Sequence, residues 1–108
     1  GAEDIVRMRN AYRARRNLIC AAFQEMGLEC FVPQGAFYAF PSVRSTGLTS
    51  QEFALRLLDE ENVACVPGTA FGACGEGFVR CSYASDIDRI REAMQRMSRF
   101  VARVRTSK

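Results

Sequence analysis

Residues 78–83 of the chain read Phe78-Val79-Arg80-Cys81-Ser82-Tyr83, and they carry its clearest structural pattern. Successive side chains of a β-strand point to opposite faces of the sheet. One face would carry Phe78, Arg80 and Ser82, and the other would carry Val79, Cys81 and Tyr83. The second set suits a face that packs on a core. The pattern therefore predicts a strand from which Arg80 points away from the packed side.

Three other segments also have strand character. Residues 29–32 and 36–41 flank the turn Pro33-Gln34-Gly35, which predicts two strands that pair antiparallel. Residues 63–66 form a short apolar run typical of a buried strand, and Pro67-Gly68 ends it with a turn. The segment from there to Gly77 is glycine-rich and is expected to be an irregular loop. It lacks the lysine of a phosphate-binding loop and the glycine order of a dinucleotide-binding fingerprint.

Helical periodicity marks three further segments. Residues 4–26 repeat apolar side chains at helical spacing, and Gly27 stands where a left-handed cap ends a helix. A second helix is predicted at residues 50–61, because Thr49 and Glu52 form a capping-box pattern. The last helix is expected from Ile87 almost to the end of the chain, with Ser85 or Asp86 as its cap. A small, polar stretch at residues 42–48 suits a surface loop.

The order of these elements is helix, two strands, helix, two strands, helix. It predicts an α/β (α+β) two-layer sandwich, in which three helices cover mainly one face of a small, mostly antiparallel four-stranded sheet. The 108 residues, 48% of them hydrophobic, suffice for one domain, residues 1–108, although Gly1 and Ala2 are given no weight. The other face of the sheet would be left to solvent or to another domain.

Composition narrows the possible chemistry. The chain has no histidine, and Lys108 is its single lysine, so it lacks the commonest general base and any plausible buried Schiff-base amine. Five cysteines show no C-x-x-C pair or zinc-type spacing, and they are interpreted as reduced residues without a metal. No apolar run is long enough to span a membrane and no signal peptide is visible, so a cytoplasmic location is expected by default.

Three segments in order resemble the C-terminal small domain of class I/II (fold-type I) aminotransferases, the aspartate, alanine and aromatic group. They are residues 33–41 (PQGAFYAFP), 63–72 (VACVPGTAFG) and 75–83 (GEGFVRCSY). Residues 12–16 with Gly27 also resemble the Y-x-x-R-R stretch of the helix that enters this domain. The resemblance covers essentially the whole chain.

The resemblance implies a role for each matching residue. Arg80 matches the arginine that holds the substrate α-carboxylate, and a guanidinium fork suits a carboxylate as a lysine cannot. Gly35 and Phe37 match residues of a wall beside the substrate, although Phe37 and Tyr38 also suit a core strand. The resemblance places pyridoxal phosphate and its lysine in a large domain that is absent from this chain. The chain itself would then contain no catalytic and no cofactor-binding residue.

The implied full-length protein is a homodimeric transaminase that moves an amino group between an amino acid and a 2-oxo acid. This chain would be its movable wall and carboxylate clamp, and it would be inactive alone. It would also self-associate through the open sheet face and the region of Phe37, Tyr38 and Phe71, because the large domain would normally cover them. The partners expected are that large domain and the substrate, without nucleic acid or membrane.

Two other functions fit parts of the sequence. A stand-alone α/β module would use the glycine-rich loop and Arg80 to bind a small anionic ligand, or the open sheet face to bind a protein partner. An RNA-binding sheet would use the aromatic strand and the arginines. Its recognition consensus is missing, however, and most arginines fall on predicted helices, which favours a solvated or interdomain role for them.

Overall fold

The computed structural model describes residues 1–33 and 37–106, and it confirms the predicted α+β sandwich. Helices α1 (Ala2–Met26), α2 (Ser50–Glu61) and α3 (Ile87–Thr106) alternate with strands β1 (Cys30–Phe31), β2 (Tyr38–Pro41), β3 (Val66–Pro67) and β4 (Val79–Ser82). The four strands form one antiparallel sheet in the order β1-β2-β4-β3. Short 3₁₀ helices occupy Arg44–Thr46, Gly68–Phe71 and Ala73–Gly75.

The helix ends form where the local sequence predicts them. Gly27 is left-handed (φ 75°) and ends α1. In α2, the Thr49 hydroxyl accepts a bond from the Glu52 amide at 3.1 Å, and the Glu52 carboxylate accepts one from the Thr49 amide at 3.0 Å. Of the two candidates for the cap of α3, the structure selects Asp86, whose carboxylate accepts bonds from the amides of Asp88 and Arg89.

The core lies between the helices and one face of the sheet. Ala39 and Val79 are fully buried on that face, and Phe23, Phe53 and Phe100 are fully buried on α1, α2 and α3. Phe53 and Phe100 meet edge to face with their ring centroids 5.2 Å apart. Strand alternation therefore divides the sheet, as predicted, into a face covered by the helices and a second face. This second face carries Tyr38, Arg80 and Ser82, and it is called the open face below.

Four details differ from the sequence prediction. The glycine-rich segment, expected to be an irregular loop, contains the two 3₁₀ helices Gly68–Phe71 and Ala73–Gly75. The strand expected at residues 63–66 forms instead at Val66–Pro67, because Asn62 turns left-handed (φ 58°) and the Val63 amide bonds back to Leu57 of α2. Strand β1 is only Cys30–Phe31. The expected surface loop at residues 42–48 includes a 3₁₀ turn whose Thr46 is fully buried.

The large apolar side chains in the first half of α1 are exposed rather than packed in the core. Ile5, Val6 and Met8 are 52–62% exposed, and the buried residues of this helix begin at Ile19. No helix in the described ranges has both the length and the hydropathy needed to cross a membrane.

Candidate functional site: an arginine on the open face of the sheet

Strand β4 positions Arg80 at the centre of the sheet. Arg80 is paired with Val66 of β3, while the neighbouring Ser82 is paired with Tyr38 of β2. Its chain neighbours Val79 and Cys81 point into the core and are 0% and 7% exposed. Arg80 itself is half-buried on the open face. The orientation predicted for Arg80 from strand alternation is therefore the one observed.

Two aromatic rings hold the guanidinium group. The Arg80 Cζ atom lies 4.3 Å from the ring centroid of Tyr38 and 4.5 Å from that of Phe71. Both distances are within the range of favourable cation–π contact, about 6 Å. A guanidinium carries five N–H donors. The two rings contact the cation without accepting a conventional hydrogen bond, and no oxygen of the described residues accepts one from Arg80.

Arg80 has no acidic neighbour within salt-bridge distance among residues 1–33 and 37–106. Other arginines of the domain do have one. Arg103, for example, lies 2.9 Å from a Glu60 oxygen and 3.1 Å from a Glu61 oxygen. The guanidinium of Arg80 can therefore bind an external anion without first breaking an ion pair with a described residue.

Phe37 lies in a different cluster. Its ring centroid is 4.3 Å from that of Tyr12 on α1 and 6.4 Å from that of Tyr83. Tyr83 belongs to the buried core, so Phe37 packs on the helix side of the sheet while Arg80 lies on the open face. Phe37 is 36% exposed, and its role as a wall beside a substrate stays a prediction. Gly35, the other predicted wall residue, lies outside the described residues.

The sequence did not single out Tyr38 and Phe71 as partners of Arg80. Tyr38 shares the open face because of the register between β2 and β4, which no local pattern reveals. Phe71 reaches Arg80 from the glycine-rich loop, called the Phe71 loop below (residues 68–77). Both side chains are exposed, 37% and 53%, and the self-association expected through this region stays a prediction.

The cysteines have no visible role in this site. Burial is the main cause that raises the pKa of Cys30, to about 11, and the hydrogen bond with Cys65 together with burial raises that of Cys81. Cys30 and Cys81 are therefore poor nucleophiles at neutral pH. The hydrogen bond with Cys81 lowers the pKa of Cys65, which has no contact with Arg80 among the cation–π and ion-pair contacts described above. In the described part of the chain, no group of three or more Cys, Asp or Glu side chains is arranged to hold a metal ion.

A pyridoxal phosphate site does not fit the described residues. That cofactor is held through a lysine amine, and residues 1–107 of the chain contain no lysine. What the described residues do offer is a cation on an open sheet face, oriented by two rings, within a small α+β domain.

Comparison with known proteins identifies the domain. The family Aminotransferase class I and II matches residues 2–97. The aromatic-amino-acid aminotransferase 2 of Thermococcus litoralis is 47% identical over 99 residues, which are 92% of this chain and 25% of that protein. The aspartate aminotransferase of Pyrococcus abyssi is 50% identical over 94 residues, 87% of this chain and 24% of that protein.

The fold matches as well. The crystal structure of an aromatic aminotransferase from Pyrococcus horikoshii has a TM-score of 0.87 and 48% identity, covering 94% of this chain and 27% of that one. The chain therefore belongs to the class I and II aminotransferase family, whose members depend on pyridoxal phosphate. It spans about a quarter of the length of the relatives it matches. Their names include aspartate and aromatic amino acids, so they do not agree on one substrate.

Proposed function

We propose that this chain is the small domain of a pyridoxal-phosphate-dependent aminotransferase, and that Arg80 binds the α-carboxylate of the amino acid or 2-oxo acid substrate. One observation carries the proposal. Arg80 is half-buried on the open face, is oriented by Tyr38 and Phe71, and has no carboxylate partner among the described residues. A planar cation in that state is suited to a planar anion that arrives from outside the domain.

The chemistry of the pair supports this assignment. A guanidinium stays charged at any working pH, and two of its N–H groups can donate in parallel to the two oxygens of one carboxylate. Two parallel bonds fix the orientation of the substrate as well as its position. The α-carbon, where the amino group is exchanged, would then be held in a constant place relative to the rest of the enzyme.

The remaining parts of the enzyme would come from outside this chain. The cofactor supplies the electron sink for amino-group transfer when bound, and a large domain of the same polypeptide would hold it. Movement of the small domain toward that large domain would exclude water and bring Arg80 to the substrate. A homodimer and a cytoplasmic location belong to the same proposal.

The test compares substrates with and without the carboxylate in the full-length enzyme. Arg80→Ala should reduce kcat/KM for an α-amino acid by about 3 to 6 kcal/mol, roughly two to four decades, because two charge-assisted bonds of about 1.5 to 3 kcal/mol each are lost. Arg80→Lys should recover only part of the loss, since it keeps the charge without the fork. An amine that lacks the α-carboxylate should be converted equally well by all three proteins.

A charge-matched control separates binding from a general effect of net charge. Arg89→Ala also removes one positive charge, but Arg89 is strongly exposed and pairs with Asp86 at the start of α3. It should leave kcat/KM nearly unchanged for both substrates. Equal losses for both substrates in Arg80→Ala would mean that Arg80 supports the fold, and the carboxylate assignment would be abandoned. A folded full-length enzyme that binds a small anion without transferring amino groups would favour a ligand-binding role instead.

A further inference from the structure

The Phe71 loop is closed tightly at its base. The Gly68 amide donates to the Phe78 carbonyl at 2.7 Å, and the Phe78 amide donates to the Gly75 carbonyl at 3.2 Å. The backbones of Gly68 and Gly75 approach so closely that a Cβ atom on either one would overlap the carbonyl group of the other. Two glycines are therefore required here by space, and the loop leaves and rejoins the sheet at one point.

Glu76 ties this loop to helix α2. One oxygen of its carboxylate accepts bonds from the amides of Ser50 at 2.9 Å and Gly77 at 2.6 Å, and the other lies 3.4 Å from the Ser50 hydroxyl. Ser50 is the first residue of α2 and is fully buried. Its amide is one of the N–H groups that a helix start leaves without an intrahelical acceptor. A carboxylate at this end is also favoured by the helix dipole.

A second contact holds the same point from another side. The Arg44 guanidinium donates to the Glu76 carbonyl at 3.3 Å and lies over the Phe78 ring, 5.3 Å from its centroid. Residues 76–78 are thus held to α2 through the carboxylate and to the 3₁₀ turn at Arg44–Thr46 through the carbonyl. Both attachments lie at the base of the loop that carries Phe71.

We propose that Glu76 is a positioning residue for substrate binding. By holding the base of the Phe71 loop on α2, it keeps the Phe71 ring over the Arg80 guanidinium and so fixes the direction in which the guanidinium donates. This inference rests on the proposed role of Arg80 as the carboxylate ligand. The Glu76 carboxylate bonds to Ser50 and Gly77 and not to Arg80, so its effect on the substrate would pass through Phe71.

The domain contains a matched control for this idea. Glu52 caps the same end of the same helix, because its carboxylate accepts a bond from the Thr49 amide at 3.0 Å. Both carboxylates therefore stabilise the start of α2, but only Glu76 is part of the Phe71 loop. A purely structural role predicts the same behaviour for Glu76→Gln and Glu52→Gln, whereas a positioning role predicts a difference in substrate binding.

The experiment measures KM, kcat and the melting temperature of both variants in the full-length enzyme, with an α-amino acid and with an amine that lacks the α-carboxylate. Glu76→Gln should raise KM for the amino acid about threefold to tenfold, the size expected for a weakened cation–π contact, and change kcat less than about twofold. KM for the amine should not change. Glu52→Gln should lower the melting temperature without changing KM for either substrate.

Phe71→Leu provides an independent variant, because Phe71 is 53% exposed and its replacement should not prevent folding. It should reproduce the rise in KM for the amino acid alone, and Phe71→Tyr, which keeps a ring, should restore most of the affinity. The inference is overturned if either Glu76→Gln or Phe71→Leu leaves KM for the amino acid unchanged, or if Glu52→Gln raises it equally. Failure of the Arg80 assignment is a different result, namely equal losses for both substrates in Arg80→Ala.

Discussion

The stability of this domain should depend strongly on one aromatic contact between α2 and α3. Phe53 and Phe100 are both fully buried, and their rings meet at an interplanar angle of 81°. Phe53 and Leu57 are the two large side chains that anchor α2, the helix that Glu76 caps, in the core. Phe53→Ala would remove one of the largest fully buried side chains and leave a cavity.

The expected cost follows from general magnitudes. Truncation of a buried phenylalanine to alanine costs about 3 to 5 kcal/mol, from lost burial and the residual cavity. A domain of this length has a free energy of unfolding of about 5 to 16 kcal/mol. Phe53→Ala should therefore remove a large fraction of the total and lower the melting temperature by about 12 °C or more. A double-mutant cycle with Phe100→Ala should give a coupling energy of about 0.5 to 1.5 kcal/mol.

The measurement is thermal and urea unfolding of the 108-residue chain followed by circular dichroism. Leu55→Ala is the matched control, because Leu55 lies on the same helix and is 59% exposed. It should change the free energy of unfolding by less than about 0.5 kcal/mol. Equal destabilisation by Phe53→Ala and Leu55→Ala would show that α2 is not packed through Phe53 in solution, and it would refute the packing described above.

Two further outcomes are expected of the chain by itself. Hydrogen bonds from Arg99 to Glu61, and from Arg56 and Arg103 to Glu60, hold the pKa values of these carboxylates below their ordinary value of 4.5. The stability that these ion pairs contribute is therefore present above pH 4.5, and it is lost as the pH falls through the lowered pKa values of the folded state. A variant with both glutamates changed to glutamine lacks this contribution. Its melting temperature should therefore fall less steeply on acidification than that of the unchanged chain. The isolated chain mixed with pyridoxal phosphate and an amino acid should produce no 2-oxo acid in a coupled assay, and specific turnover would contradict the assignment of the catalytic residues to another domain.

Local sequence patterns predict the helix ends because the contacts that form these ends join residues close together in the sequence. The capping box of Thr49 and Glu52 and the left-handed Gly27 fix helix ends through contacts only a few residues apart. The position of β3 could not be read in this way. Residues 63–65 are apolar and suit a strand. After α2 ends at Asn62, however, they form the connection to the sheet, and pairing with β4 begins only at Val66.

The candidate site was predictable only in part for the same reason. Alternation along one strand gives the direction of Arg80 without knowledge of any other element. Its partners depend on long-range geometry: Tyr38 on the register between β2 and β4, and Phe71 on the closure of a loop. The bond from the Ser50 amide to Glu76 joins residues 26 positions apart, and no periodic pattern in the sequence reports it.

The surroundings of Arg80 connect its stability with its proposed use. A half-buried cation without a counter-ion is costly, and an acidic side chain nearby would be the usual remedy. Such a side chain would also occupy the donors that a substrate needs. The cation–π contacts with Tyr38 and Phe71 offset part of the cost, and they leave the N–H groups available to donate to a carboxylate. An arginine stabilised in this way can remain on an open sheet face while its hydrogen-bonding capacity is kept for an external anion.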